Sequence, residues 1–311
     1  MADLTVIILT FNEALHIERA ILALRPVARD IVVVDSYSTD ETVELARSLG
    51  ARVLQNPFVT QAQQFQWAIE NAGITTGWTM RLDADEVVEP DLAQEIEREL
   101  SRLPPEVTGV TLNRRHIFMG RWIRHGGRFP LYLLRIWRTG AAQVEDKWMD
   151  EHIVLLRGRS VRFTGVFSDW NLRDLTFFTD KHNRYATREA IEVMRRGLGL
   201  TDPQADQPGS PLSGQTAYKR WMKHGIYGAI PFYLSAPLYF LYRYLLLGGF
   251  LDGREGLTYH LLQGLWYRFL VGAKVFELKQ KVRDIADPAT AFGEVLRLTS
   301  YAPAGPQVGK T

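Results

Sequence analysis

Leu4-Thr5-Val6-Ile7-Ile8-Leu9, followed at once by Thr10-Phe11-Asn12-Glu13, opens the chain with an apolar, β-rich run that ends in polar residues. A strand without polar alternation is covered on both faces, the condition of a parallel strand flanked by helices. Outward from it the pattern repeats. Asn12-Glu13 opens an amphipathic helix with Leu15, Ala20, Ile21 and Leu24 near helical spacing. Ile31–Val34 is a second strand, and Val43, Leu45, Ala46 and Leu49 mark a helix closed by Gly50. Val53-Leu54 makes a short third strand, Gln63–Asn71 a helix and Trp78–Leu82 a fourth strand, with a helix over Asp91–Leu100 behind Pro90. This βαβαβαβ alternation predicts an α/β fold on a doubly wound, mainly parallel sheet, with its ligand beyond the carboxyl ends of the strands. Polar residues gather at those ends: Thr10–Glu13, Asp35-Ser36-Tyr37-Ser38-Thr39-Asp40 and Asp83-Ala84-Asp85-Glu86.

The 311 residues, 46% of them hydrophobic, suffice for one large α/β domain with an appendage. Lys+Arg 37 against Asp+Glu 35 leaves a formal net charge of +2, without the basic excess that binds nucleic acid. Cys 0 removes disulfides, cysteine nucleophiles and Cys-ligated zinc. Met1-Ala2-Asp3-Leu4 has no basic n-region and runs straight into a strand, so a cleaved signal peptide is not expected and the expected start is cytoplasmic. From Gly109 to Phe167 strand-like runs return among Arg- and Trp-rich loops, and from Asp174 the pattern is helical. Gly199–Gly214, rich in Pro, Gly, Asp and Gln, reads as a linker, and the tail after Tyr301 is expected to be disordered.

Asp83-Ala84-Asp85 is the sharpest chemical signal. Two carboxylates at i and i+2 after an apolar strand can hold a hard divalent cation, Mg²⁺ or Mn²⁺, against a diphosphate. Alone, a D-x-D also fits a solvated turn or a helix N-cap. Neither Gly-x-Gly-x-x-Gly nor Gly-Lys-Ser/Thr follows the first strand, so the two common phosphate cradles are missing and charge neutralisation falls to a metal.

Taken together, Val6–Glu13, Ile31-Val32-Val33-Val34-Asp35-Ser36-Tyr37-Ser38-Thr39-Asp40-Glu41-Thr42 and Leu82-Asp83-Ala84-Asp85-Glu86 resemble, in order and spacing, the inverting glycosyltransferases of family two. The resemblance implies a GT-A fold and metal-dependent transfer of a sugar from a nucleoside diphosphate sugar. It implies that Thr10, Asn12 and Glu13 line the nucleoside pocket, that Asp35 accepts a hydrogen bond from the base, and that Asp85 ligates the metal beside Asp83. The family's second block carries two adjacent acids, whereas Ser36 follows Asp35 here. Glu13 and Asp40 also fit helix capping. Gln64 and Gln66 lie where such proteins place polar residues near the donor. Arg128, Arg135 and Arg138, interleaved with Tyr132 and Trp137, could meet the charge developing on the leaving diphosphate, or form a solvated basic strand face.

Inverting transfer needs a carboxylate that takes the acceptor hydroxyl's proton while its oxygen attacks the anomeric carbon opposite the leaving group. Trp148-Met149-Asp150-Glu151-His152 resembles the family's acidic motif on the acceptor side, with Asp150 as the base and Glu151 as the alternative. The same residues also read as a turn and a surface pair. Asp169-Trp170-Asn171, Lys181–Ala186 and Gly248–Gly253 with the run through Trp266, Tyr267, Phe269 and Lys274 resemble the subgroup that builds lipopolysaccharide core and exopolysaccharides.

No residue from Gly225 to Tyr242 is charged, long enough for a transmembrane candidate. Pro231, Pro237, the tyrosines and Arg243 fit a broken interfacial or re-entrant segment better, and Lys219, Arg220, Lys223 and His224 favour an anionic cytoplasmic leaflet. A buried helical hairpin or an oligomer contact is the other reading. The expected organisation is a nucleotide-sugar-binding and catalytic domain over 1–170 (donor half about 1–105, acceptor half about 106–170), a helical region over 171–300 with an interfacial segment over about 217–276, and a tail over 301–311. Expected partners are a nucleoside diphosphate sugar, a lipid-linked or glycolipid acceptor of cell-envelope polysaccharide synthesis, the cytoplasmic face of the inner membrane in a peripheral or monotopic manner, and a second copy through the C-terminal helices. No nucleic acid is expected. Two rivals remain: a non-catalytic nucleotide or carbohydrate-binding module, and a sugar nucleotidyltransferase, which would want a Gly-rich, Lys/Arg-bearing loop where Thr10-Phe11-Asn12-Glu13 stands.

Overall fold

The opening apolar run becomes β1 (Ala2–Thr10), with β2 (Ala28–Asp35) parallel on one side, β4 (Trp78–Asp83) parallel on the other, and β3 (Arg52–Gln55) parallel beyond β2. Its lack of polar alternation has a direct cause. Leu4, Val6 and Ile8 pack with Ile17, Ile21 and Leu24 of α1 (Ala14–Leu24), while Ile7 on the other face packs with Phe65 and Ala68 of α3 (Gln61–Asn71). The strand is thus buried on both sides. The computed structural model describes residues 1–145, 153–200 and 230–300, which divide into two units: Met1–Leu172 with Leu247–Leu257, and Arg173–Leu246 with Thr258–Thr311.

In the first unit, α2 (Thr42–Ser48) and α4 (Pro90–Glu99) complete the helices of the donor half. The helix predicted from Gln63 starts at Gln61 because the Thr60 hydroxyl caps it, accepting from the Gln63 N–H at 3.1 Å. Beyond β4 the sheet continues in the order β3-β2-β1-β4-β8-β6-β11-β5. Here β5 is Glu86–Val88, β6 is Val107–Phe118, β8 is Tyr132–Arg138 and β11 is Arg159–Trp170, while β7 (Arg121–Trp122) forms a hairpin with the end of β6. β9 (Ala142–Val144) and β10 (Ile153–Leu155) make a separate antiparallel pair. The parallel, doubly wound arrangement holds for β3-β2-β1-β4, and β8, antiparallel to both β4 and β6, makes the whole sheet mixed. Two reversals restore direction, so β6 and β11 run with β4 and their carboxyl ends share its edge.

β11 is irregular between Arg162 and Val166, where Gly165 lies against α4. A Cβ on Gly165 would stand 2.5 Å from the Leu92 Cα, and backbone cannot swing aside. Gly165→Ala is therefore expected to push α4 from the sheet and cost about 1–3 kcal/mol, the usual range for overpacking. A chemical unfolding midpoint equal to that of the wild type would contradict this close approach.

The segment Leu247–Leu257 belongs to the first unit through specific bonds. The Gly126 N–H donates to the Leu247 carbonyl at 2.9 Å, and buried Asp252 accepts from the His125 N–H at 2.8 Å and lies 2.7 Å from His125 Nδ1.

The second unit contains α5 (Leu175–Gly197), α6 (Phe232–Leu241), α8 (Tyr267–Val282) and α9 (Pro288–Leu298), with α7 (Gly253–Tyr259) leading into it. Asp174 and Asp287 cap α5 and α9, accepting N–H bonds from Phe177 at 2.9 Å and Thr290 at 2.8 Å. Ala190, Met194, Leu278, Val282 and Val295 form its core. Pro237 lies inside α6, a π-helical turn follows at Tyr242–Leu246, and Leu234, Leu238, Leu241, Leu245 and Leu246 are exposed, the last at 78%. No single helix among the described residues is long and apolar enough to cross a membrane, although Phe232–Leu246 and Gly249–Val282, bent by 73°, pass that test together. Of the predicted linker only Gly199 and Leu200 are described, and Lys219–His224, Gly225–Ala229 and residues 301–311 lie outside the described residues.

Candidate active site

The carboxyl ends of β1 and β2 are tied together by Asp35. Its carboxylate accepts from the Thr10 hydroxyl at 3.0 Å, the Ser38 N–H at 2.8 Å, the Ser38 hydroxyl and the Gln55 side-chain amide at 3.3 Å. A carboxylate offers about four acceptor positions. With all of them engaged and the side chain 0% exposed, Asp35 shapes the pocket in the ligand-free protein by joining the ends of β1 and β2. Buried Thr10 serves the same junction. Gln64 is held likewise: it is buried, donates to the Ser36 hydroxyl at 3.2 Å and the Asn56 carbonyl at 3.0 Å, and accepts from the Asn56 amide at 2.7 Å. Gln66 bonds Glu70 at 2.7 Å and the Val144 N–H at 3.2 Å.

Asn12 clamps the second loop onto the first. Its side-chain oxygen accepts from the Thr39 N–H at 2.8 Å and its own N–H donates to the Ser38 hydroxyl at 2.8 Å. Asn12 and Tyr37 both adopt positive φ, 56° and 61°, and next to them Phe11 and Tyr37 are exposed aromatics on the edge. Glu13 bonds His16 Nδ1 at 2.6 Å. Because His16 Nε2 accepts from the Leu172 N–H at 3.0 Å, the proton of this buried imidazole sits on Nδ1 and is donated to Glu13. Asp40 accepts from the Thr42 N–H at 3.1 Å and the Ala14 N–H at 3.2 Å, joining the starts of α1 and α2.

At the end of β4, Asp83 and Asp85 diverge. Asp83 lies 3.3 Å from Arg81 and 3.7 Å from Arg135. Burial opposes its ionisation, but the Arg81 and Arg135 charges outweigh this and hold it below the ordinary carboxylate range. Half-buried Asp85 occupies the turn between β4 and β5, where the Asn171 amide donates to its carboxylate at 2.9 Å and the Trp170 N–H donates to its carbonyl at 3.0 Å. Arg19 of α1 donates to that carbonyl at 3.3 Å and also to the Trp170 carbonyl, with its guanidinium 5.1 Å from the Trp170 ring.

Behind this turn lies a charged layer. Arg135 donates to buried Glu86 at 2.6 Å, and Glu86 accepts from the Asp83 N–H at 2.9 Å. Burial pushes Glu86 up to about 8 against the attraction of Arg135, and the charges of Asp83 and Asp169 add to the rise. Asp169 goes the other way: burial opposes its ionisation, but His116 at 3.0 Å, Arg114 at 3.4 Å and the charge of Arg128 hold it low. Arg128 and Arg135 therefore belong to the edge that carries Asp83 and Asp85. Arg138 does not, which corrects its expected place near the donor. It pairs with Trp78 at the start of β4, about 17 Å along the strand from Asp83 at 3.3–3.4 Å per residue, and donates to the Val107 and Leu103 carbonyls, both at 2.9 Å.

The donor set bears on a metal. Among the described residues no group of three His, Asp or Glu side chains could hold an ion by itself. One or two carboxylates at a strand end fit Mg²⁺ or Mn²⁺ shared with phosphate oxygens, since such ions take few protein ligands beside a diphosphate. Asp85, oriented by Asn171 and with its backbone pinned by Arg19, fits that role. Asp150 and Glu151 lie outside the described residues.

Residues 5–159 match the model of Glycosyl transferase family 2, a stretch that includes β1 through β10 and all three acidic ends. Those residues form a glycosyl transferase family 2 domain. An uncharacterized glycosyltransferase of Rickettsia bellii (strain RML369-C) is 42% identical over 90 residues, 29% of this chain and 30% of that protein. The chain thus spans about a third of the length of the first curated relatives it matches. The lipopolysaccharide core biosynthesis glycosyltransferase LpsC of Rhizobium meliloti (strain 1021) is 26% identical over 281 residues, 88% of this chain and 92% of LpsC. Among solved structures, glucosyl-3-phosphoglycerate synthase from Mycobacterium tuberculosis, in complex with Mn²⁺, uridine diphosphate and glucosyl-3-phosphoglycerate, matches at 21% identity and a TM-score of 0.30 over 36% of this chain and 44% of that one.

Around the acidic turn, sequence reasoning missed Arg19 and the His116–Asp169 pair as neighbours, and named Glu86 only as the last residue of the acidic cluster. Asp169-Trp170-Asn171 did carry a signal, as a segment resembling the core-sugar subgroup. Arg19 carried none, being one surface arginine of an amphipathic helix.

Proposed function

We propose that this chain transfers one sugar, with inversion, from a nucleoside diphosphate sugar to a lipid-linked or lipopolysaccharide-type acceptor on the cytoplasmic face of the inner membrane. The observation that carries the reading is the gathering of Asn12, Asp83, Asp85, Asn171 and Arg128 on one carboxyl edge of a family 2 domain. The relation to LpsC along most of both chains supports the acceptor class. Phe11 and Tyr37 offer apolar faces to the base, with Asn12 holding their loops in register. Asp85 would hold Mg²⁺ or Mn²⁺, which when bound supplies positive charge to the leaving diphosphate. Arg128 and Arg135 add fixed positive charge on the same edge. Asp150, with Glu151 as the alternative, takes the proton of the attacking hydroxyl. A thermal-shift screen of nucleoside diphosphate sugars tests the donor: one of them should raise the midpoint with Mn²⁺ and not with EDTA, since a ligand of the native state stabilises it. Indifference to every donor would contradict the reading.

The membrane part rests on Leu234, Leu238, Leu241 and Leu245, exposed at i, i+4, i+7 and i+11 along α6 and the turn after it. Such a stripe lies in an interface with its apolar face toward the acyl chains. Truncation is a poor test because Leu247–Leu257 belongs to the first unit. Leu238→Glu with Leu241→Glu should instead lower the fraction sedimenting with anionic liposomes at least tenfold while donor binding stays. Equal sedimentation would sink the interfacial reading.

A further inference from the structure

Residues 107–144 contain seven arginines and no Asp or Glu, in a chain whose formal net charge is only +2. Some of these arginines face acids: Arg114 lies 3.4 Å from Asp169, Arg135 2.6 Å from Glu86 and Arg121 3.6 Å from Glu255. Arg115, itself 3.6 Å from Glu89, and Arg124 share an aromatic partner as well. Their guanidinium carbons stand 4.9 Å and 5.2 Å from the centroid of one ring, the indole of Trp122. That ring is held in place, because β7 pairs Trp122 with Ile117 and Phe129 packs edge-on against it at 4.9 Å and 90°. An aromatic face attracts each cation but leaves the two like charges repelling one another.

The hydrogen bonding of the cluster is one-sided. Glu89 faces Arg115 at 3.6 Å, too long for a hydrogen bond, and itself accepts from the Ser168 hydroxyl. The Nε of Arg115 and the Nε1 of Trp122 are both shielded from solvent and have no acceptor among the described residues. Buried N–H groups without acceptors are rare and need an explanation. Two guanidinium groups thus share one indole ring, with a single acid, Glu89, beside them.

We infer that Arg115, Trp122 and Arg124 form a binding site for an oxyanion, the phosphate or carboxylate group of an anionic acceptor. The inference rests on the glycosyl-transfer reading for the word acceptor, though not for the site itself. Planar guanidinium forks match two oxygens of such a group, and the indole between them reports on its arrival. Position separates this site from the donor's. In the sheet order β8 stands between β4 and β6, and the register sets Asp83 level with Leu112 while Trp122 pairs with Ile117, so the hairpin after β6 is two strand spacings, about 10 Å, across and about 17 Å further along from Asp83, roughly 20 Å in all. An anion seated there lies beyond the carboxyl edge that carries Asp83, where a substrate longer than one sugar would extend.

The test follows the indole N–H of Trp122 in a nitrogen-15 spectrum of the full chain, identified by its loss in Trp122→Phe, during titration with inorganic phosphate in EDTA. A saturable shift is expected, absent with chloride at matched ionic strength and weakened at least tenfold by Arg115→Gln or by Arg124→Gln. Arg124 is exposed, so its variant keeps the test valid if Arg115→Gln fails to fold. Acetate and phosphatidylglycerol vesicles as further titrants distinguish a carboxylate, a free phosphate and a lipid phosphate as the source. A signal that phosphate does not move, or moves equally in both variants, overturns the site and leaves cation–π packing alone. Mn²⁺-dependent donor binding measured on the same samples separates the two ideas: if it persists while phosphate binding fails, only this inference falls, and if the wild type binds no donor, the transferase reading falls instead.

Discussion

Asp85→Asn is expected to abolish metal-dependent binding of the nucleoside diphosphate while leaving the fold intact. The substitution keeps the shape of the side chain and an oxygen that can accept from the Asn171 amide, so the turn between β4 and β5 retains its 2.9 Å tie. What disappears is the negative charge that a hard divalent cation requires of its oxygen ligands. Asp83→Asn is the informative comparison, because Asp83 balances Arg81 at 3.3 Å and Arg135 at 3.7 Å, and losing it should lower stability as well as binding. Calorimetry with Mn²⁺ reads both. An Asp85→Asn chain that binds the nucleoside diphosphate with unchanged, metal-dependent affinity would remove Asp85 from the site.

A loss of about 10² to 10⁴ in transfer is expected of Asp150→Asn, with donor affinity and fold preserved, because a general base contributes about that much and acts only in the transition state. A sugar hydroxyl is far too weak an acid to ionise at neutral pH, so inversion in a single step needs a base from the protein. Glu151→Gln serves as the internal control and should cost less. Single-turnover kinetics at saturating donor separate the outcomes. If Glu151→Gln is inactive while Asp150→Asn transfers at the wild-type rate, the base is Glu151, and if both remain active the motif serves structure alone.

The donor half was legible because parallel strands force their polar termini onto one edge, so Thr10–Glu13, Asp35–Asp40 and Asp83–Glu86 had to meet once the alternation was seen. The direction of a later strand is not written in its local pattern. β8 runs against β4, so Arg128 and Arg135 come early enough to reach the edge, whereas Arg138, three residues further on, arrives at the opposite end. The residue types of Asp35 and Gln64 marked them as polar and near the ligand, but only tertiary packing reveals that Thr10, Ser38, Gln55 and Asn56 already occupy them. Return of Leu247–Leu257 to the first unit through Asp252 and His125 spans more than a hundred residues, and no spacing rule encodes it. Glu86 illustrates the same limit. In the sequence it only closes the Asp83–Glu86 cluster, yet it is buried against Arg135, and burial pushes it well above an ordinary carboxylate.

Incubating the full chain in membranes with each nucleoside diphosphate sugar, with Mn²⁺ and with EDTA, and determining the anomeric configuration of the product tests the central claim most directly. One donor should be consumed only with the metal, releasing a nucleoside diphosphate and leaving the transferred sugar inverted at its anomeric carbon. Tight donor binding without turnover would mean a binding module, pyrophosphate release from a nucleoside triphosphate a nucleotidyltransferase, and a product of retained configuration would contradict the single displacement assigned to Asp150.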